Sequence, residues 1–130
     1  MVKGDLNSRV KEALDRTEIM ALSTVDGNGS WVSPVRFTYD KSLNLYFLSL
    51  KEARHVGNIL KNPQVSIAVY KDEPFKGGGN LGLQIKGSAT LESVDGVWQN
   101  FKITPTEVWC FDSRISRKRE EVDLQKLTLE

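Results

Sequence analysis

The sequence holds one cysteine, one histidine and four prolines in 130 residues. With Cys110 alone no intrachain disulfide can form, which excludes a stapled extracellular scaffold and leads us to expect a reducing cytoplasm. One histidine and one cysteine are too few for a zinc cluster. Charge of one sign is also lacking: 18 Lys and Arg oppose 17 Asp and Glu, a net charge of +1. Such a balance gives no electrostatic reason to expect nucleic acid or a membrane surface as partner. No run approaches the roughly 20 apolar residues of a membrane helix. The opening MVKGDLNSRVKEALDR is charged throughout and has no apolar segment of a secretory signal. There is no internal repeat, linker or low-complexity segment. The glycines at 77–79 lack the Gly-Lys-Ser/Thr of a phosphate-binding loop and read as a flexible, mobile connection.

What is present suits one domain, residues 1–130. Hydrophobic residues make up 39% and charged residues 27%, ordinary globular usage, and a chain of this size hides roughly two-thirds of its surface on folding. Residues 5–16 place Leu6, Val10, Ala13 and Leu14 at helical spacing, with Asp5 as cap. IMALSTV reads as a strand, DGNG at 26–29 as a hairpin turn, and WVSPVRFTY as a strand with Trp31, Ser33, Val35, Phe37 and Tyr39 on one face. Pro34 lacks an N–H and predicts an edge or bulged position. LYFLSL and VSIAVY are further strands, and LGLQIKGSATL alternates with a two-residue period. SVDGVWQNF reads as a turn or short helix, TEVWCFDSRI as the last long strand, and the C-terminal SRKREEVDLQKLTLE as polar with a weak apolar stripe. Six strands joined by short turns, with a few flanking helices, predict a mainly β protein built as a small antiparallel barrel.

The stretch SLKEARHVGNILKNP, residues 49–63, holds the only histidine directly after an arginine. Ser49 and Glu52 fit a capping box, and Pro63 predicts a helix end at Asn62. On the plainest reading Ser49 is a cap and Arg54 and His55 are surface side chains. A hydroxyl, a guanidinium and an imidazole near one helix start also suit a phosphate, because the free N–H groups there favour an anion. A charge-assisted bond from Arg54, worth about 1.5–3 kcal/mol, would dominate. Successive helical residues diverge by about 100°, so Arg54 and His55 would grip from two sides.

Taken in order, PVRFTYD, LYFLSLKEARH and ILKNPQVSIAV resemble the FMN-binding split β-barrel of the pyridoxamine 5'-phosphate oxidase-like superfamily, over about residues 17–115. The resemblance implies a six-stranded antiparallel split barrel, a homodimer with FMN at the subunit interface, and flavin-mediated electron or hydride transfer to a small-molecule substrate. It implies that Ser33, Pro34, Val35, Arg36, Phe37 and Thr38 lie along the flavin ring. Leu48 and Ser49 match the strand-end pair, and Arg54 and His55 the phosphate-binding basic pair. Gln84 resembles a glutamine that faces the flavin, and Trp109 stands where relatives place an aromatic beside the ring. In this chain His55 replaces a lysine and Thr38 a basic residue. The oxidases hold pyridoxamine 5'-phosphate with a C-terminal arginine and histidine, whereas this chain ends DLQKLTLE without a second histidine, so a different substrate is expected. No residue reads as a general acid or base. The same fold could instead hold haem or the deazaflavin F420, or act as a flavin-binding module without turnover. Among the remaining residues, Cys110 reads as core, and Trp31 and Trp98 as packing anchors. Trp109 reads as core or flavin contact, and Arg114, Arg117, Lys118 and Arg119 as a solvated face.

Overall fold

The computed structural model describes residues 4–130. Helix α1 spans Leu6–Asp15. Asp5 caps it, with Oδ1 accepting from the Ser8 N–H at 2.8 Å, and its apolar stripe buries Val10, Ala13 and Leu14. Strands β1 (Ile19–Asp26) and β2 (Gly29–Arg36) form the hairpin that DGNG predicts, in register from Ile19 opposite Arg36 to Asp26 opposite Gly29. Then come β3 (Thr38–Tyr39), β4 (Leu45–Leu50), helix α2 (Arg54–Lys61) and β5 (Gln64–Tyr70). The chain closes with β6 (Leu81–Asp95), β7 (Trp98–Asp112) and β8 (Glu120–Glu121).

All pairings are antiparallel, in the order β2-β1-β5-β6-β7-β4-β3, with β8 added to β7. The two ends of that order, β2 and β3, are separated in the chain by Phe37 alone. The sheet must therefore curl until its edges meet, and one stretch of chain serves both. Phe37 marks the seam: its side chain is buried and its N–H bonds the Glu18 carbonyl at 3.0 Å. The split barrel is thus as expected, with eight strands among the described residues in place of six. Phe37 splits one predicted strand in two, and two residues of the tail add β8. Pro34 lies on β2, which pairs only with β1, so its missing donor faces no neighbour.

Inward-facing positions fill the barrel. Phe47 and Phe101 stack with centroids 5.1 Å apart, among Met20, Leu22, Leu45, Val69, Leu83, Ile103 and Val108; each such side chain stabilises by about 1.5–3 kcal/mol when fully buried. Gly87 lets β6 and β7 pass closely, since a Cβ there would lie 2.6 Å from the Thr104 carbonyl oxygen. Cys110 is core, and burial pushes its thiol up to about 11, which keeps it unreactive.

Several expectations change or sharpen. SVDGVWQNF does hold the turn expected, not a helix, but the turn is only Gly96–Val97, with Gly96 at φ +62°, and the flanking residues extend β6 and β7 into a long hairpin. Trp31 and Trp98 are exposed, not packing anchors; Trp31 lies at the far end of β2 under an arginine, and Trp98 lies beside Leu50 on the outer face. In the glycine-rich loop Phe75 packs between the guanidinium groups of Arg16 and Arg114 at 3.7 and 3.8 Å. The tail's weak apolar stripe packs as the chain folds back, burying Val122, Leu127 and Leu129, and Leu129 N–H bonds the Lys41 carbonyl at 2.8 Å. Arg114 belongs to this closure, not to a solvated face: it pairs with Asp112 and Glu12, both at 2.9 Å.

Candidate functional site

Strand β4 delivers Ser49 to the start of α2 through the short turn 51–53. The predicted capping box does not form. Ser49 is still in β4 with its side chain inward, α2 begins at Arg54, and its N-cap Ala53 has no side chain to offer. The helix ends as predicted, with the Asn62 N–H bonding Asn58 at 2.8 Å before Pro63. Freed from capping, the Ser49 hydroxyl lies 2.7 Å from His55 Nε2 and shares a hydrogen bond whose direction follows the ring's tautomer. The opposite flank of α2 is pinned to β1: Val56 and Ile59 are buried, and Asn58 Nδ2 donates to Thr24 Oγ1 at 3.0 Å. These contacts fix the helix, so the first-turn side chains are presented from a rigid base.

Arg54 lies outward and half-exposed. Its guanidinium covers the Trp31 ring at 4.1 Å, and Nη2 donates to Asp26 Oδ2 at 3.2 Å. His55 is half-buried, and that burial holds its pKa below the usual imidazole value. At neutral pH it is therefore neutral when the site is empty, and only Arg54 of the pair carries charge.

Beside this corner a groove of about 510 Å³ runs over the outer face of β3 and β4, lined by Glu18, Arg36, Phe37, Thr38, Tyr46, Phe47, Leu48, Trp98 and Asn100. The Ser33–Thr38 stretch contributes only alternate residues to the surface. Pro34, Arg36 and Thr38 are exposed, whereas Ser33 and Val35 are buried; Phe37 is also buried but reaches the groove wall. Val35 therefore supports a ligand only from beneath. Arg36 is paired with Glu18 at 2.9 Å. Leu48 is 55% exposed at the groove edge, an apolar surface with nothing over it in one protomer.

Gln84 and Trp109 lie elsewhere. They are opposite one another on β6 and β7 and line a second groove of about 350 Å³ whose floor is the small side chains Ala21, Ser23, Ser66 and Ala68. Trp109 is half-buried on this outer face, not in the core, with Nε1 donating to Glu107 at 2.7 Å. Gln84 Oε1 accepts from Arg119 Nε at 2.6 Å. The two grooves share no lining residue. A single chain thus lines one groove with Arg36, Phe37 and Leu48, pairs Ser49 with His55 at the start of α2, next along the chain, places Arg54 on the hairpin of Asp26 and Trp31, and leaves Gln84 and Trp109 apart.

Asp26, Trp31 and Arg119 escape sequence reasoning. Asp26 reads there only as a turn residue and lies 28 positions from Arg54; hairpin and helix meet only in the folded sheet. Among the described residues no cluster of His, Cys, Asp and Glu could hold a metal ion, and no helix is long and apolar enough to cross a membrane.

Comparison with known proteins supplies the context. The sequence model of the family described as pyridoxamine 5'-phosphate oxidase matches residues 6–128. Among curated proteins no sequence match was found. Similar solved structures include General Stress Protein 26 of Bacillus anthracis (14% identity, covering 90% of this chain and 98% of that one, TM-score 0.72). The haem storage protein HutZ of Vibrio cholerae is also similar (22% identity, 81% and 94% covered, TM-score 0.68). So is an FAD-binding protein of Mesorhizobium loti (15% identity, 81% and 93% covered, TM-score 0.70). At these identities the likeness is one of fold.

Proposed function

This chain belongs to the pyridoxamine 5'-phosphate oxidase family, and from that premise we propose that it is an FMN-binding flavoprotein, a homodimer that passes electrons or hydride to a small molecule. The observation that carries the reading is the start of α2, where Ser49 and His55 are hydrogen-bonded and the preceding residue, Arg54, presents an exposed guanidinium. Its donor set fits a phosphate ester. Only Nη2 of Arg54 is engaged with Asp26, so the other N–H groups of the exposed guanidinium remain for an anion. When bound, FMN supplies the redox chemistry itself.

The protein's part is to bind, orient and enclose. Arg54 neutralises the phosphate, Ser49 donates a hydrogen bond and orients His55, and the β2–β3 seam with Leu48 provides a surface for the ring. The shallow groove of one protomer does not enclose a ring system, and a second copy supplies the missing wall. Gln84 and Trp109 of the other copy are suited to that role, one as a hydrogen-bonding partner and the other as an aromatic face. Leu48, Leu50, Val97 and Trp98 are exposed apolar side chains around the β4 surface, a grouping that favours burial against a partner. Sedimentation is expected to give twice the chain mass of 14.6 kDa, with flavin lost when the dimer is diluted apart; a monomer that keeps its flavin would refute the shared site. Mass spectrometry of ligand released from freshly purified protein tests the cofactor directly.

His55 gives a pH prediction. Its depressed pKa means that the empty protein must be protonated at this ring before His55 can pair as a cation, and a bound phosphate favours that proton. FMN affinity should rise as pH falls from about 8 to about 6. His55→Lys, charged throughout, should bind more tightly at the upper end and show a flatter profile. Taking the ratio of the two proteins cancels the phosphate's own titration, and parallel profiles would leave His55 without a charge role. The sign for folding is the opposite. Because the unfolded ring binds protons more readily, this residue's contribution to stability is complete above the ordinary imidazole value and declines as pH falls below it.

Haem is the second reading, since the similar structures include a haem storage protein and a neutral imidazole can ligate iron. Ser49 already engages Nε2 of the only histidine, which favours the flavin. A Soret band in purified protein would reverse that preference. Turnover is tested by NAD(P)H oxidation with added FMN and a quinone or dye acceptor.

A further inference from the structure

We propose that Asp26 is a built-in counterion that competes with a bound anion for Arg54 and so sets how strongly the corner holds phosphate. The inference rests on the reading of that corner as a phosphate site. Its support lies in how the carboxylate is held before it meets the arginine. Asp26 ends β1 in register with Gly29, and its Oδ1 accepts from the Asn28 N–H at 2.7 Å. The turn thereby directs Oδ2 at Arg54 Nη2, 3.2 Å away. Trp31, from the other strand of the same hairpin and opposite Thr24, lies under the guanidinium at 4.1 Å. One hairpin tip thus provides both an aromatic seat and an acidic edge for the cation. The bond from the turn and the pairing with Arg54 hold the Asp26 carboxyl below its usual range, so the edge stays charged at neutral pH.

A carboxylate fixed in this way does two things. With the site empty, it keeps a long, half-exposed side chain in one place. With a phosphate present, it repels the newcomer and shares the cation, and the repulsion grows with the anion's charge. Arg54 is the movable partner, because Asp26 is held by its own turn. The corner should accordingly penalise a doubly charged phosphate more than a singly charged carboxylate.

The experiment measures inorganic phosphate binding by phosphorus NMR titration, and FMN and riboflavin binding by fluorescence titration, all at low salt. It compares the full chain with Asp26→Asn and Asp26→Ser, both of which keep an acceptor for the Asn28 N–H. Phosphate and FMN are expected to bind about five-fold tighter to both variants, the scale of one exposed ion pair, and riboflavin equally to all. The gain should vanish when Arg54→Ala is added. Unchanged or weaker phosphate binding in both variants would overturn the proposal and make Asp26 an aligning partner. A gain that survives Arg54→Ala would overturn it too, as a long-range charge effect. If phosphate tightens while FMN fails to bind, the counterion role stands and the flavin assignment falls. If neither anion binds any form, both fall.

Discussion

Arg54→Ala is expected to weaken FMN binding by about 2 kcal/mol, some thirty-fold, because a charge-assisted bond to phosphate is lost. Of the charged groups at the corner, Arg54 is the one that is cationic at neutral pH, His55 being held neutral by burial. The helix start itself adds only about 0.3–1 kcal/mol for an anion, so it does not replace the guanidinium. The loss should be confined to the phosphate: riboflavin, which has the ring and lacks the ester, should bind both proteins alike. Fluorescence titration measures both ligands. Equal loss for riboflavin would mean that the substitution disturbs the ring surface, and unchanged FMN affinity would remove the phosphate from this corner. Folding is not at stake, because Arg54 is exposed and its pairing with Asp26 is of a kind worth about 0–1 kcal/mol.

Asp112→Ala should cost stability, about 1.5–3 kcal/mol, the scale of lost hydrogen bonds to a charged group, and leave the groove over β4 untouched. Asp112 ends β7, is 3% exposed, and accepts from Arg114 through both carboxylate oxygens at 2.9 Å, with Arg9 at 3.7 Å. Removing it thins the pairing of two cations: Arg9, nearly buried with an unpartnered Nε, keeps Glu120 at 3.0 Å, and Arg114 keeps Glu12 at 2.9 Å. Arg114 also stacks on Phe75, so the loop 71–80 and the returning tail should loosen together. Against the 5–15 kcal/mol typical of a domain, that is a large fraction. Urea unfolding should show a lower midpoint; a midpoint shift worth less than about 1 kcal/mol would show the network to be dispensable.

The same residue sets an acid limit. Burial alone would raise the Asp112 carboxyl, but the bonds from Arg114 and the charges of Arg114 and Arg9 outweigh it and hold it below the ordinary value. Its contribution is therefore full above the unfolded carboxylate range and is lost as pH falls through the folded value. Asp112→Asn should flatten the acid side of the stability profile.

Local physics accounts for what the sequence made legible. Period-two alternation defines the strands because each inward position must be apolar. Asp5, DGNG and Pro63 mark boundaries through bonds and torsions that involve only their neighbours. Arg54 and His55 are recognisable as a pair because six residues from Ser49 to His55 bring strand end and helix start together. Where a reading failed, a partner distant in the chain had decided the matter. Ser49 fits a capping box, yet it stays in β4 because the strand's pairing with β7 runs through it, opposite Gln99. Trp31 and Trp98 look like core, yet the curl of the sheet places one at a strand end and the other outside.

By itself, then, the order of residues determined most of the elements, the inward face of each strand, the lack of an intrachain disulfide and the Arg54–His55 pair at α2. Tertiary structure alone decided that Asp26 and Trp31 hold Arg54, that Gln84 and Trp109 line a separate groove, and that a polar tail closes over buried ions. The division has one physical cause. Periodicity, capping and turns act within a few residues, whereas ion pairs, stacking and groove walls depend on where a curved sheet brings distant segments together.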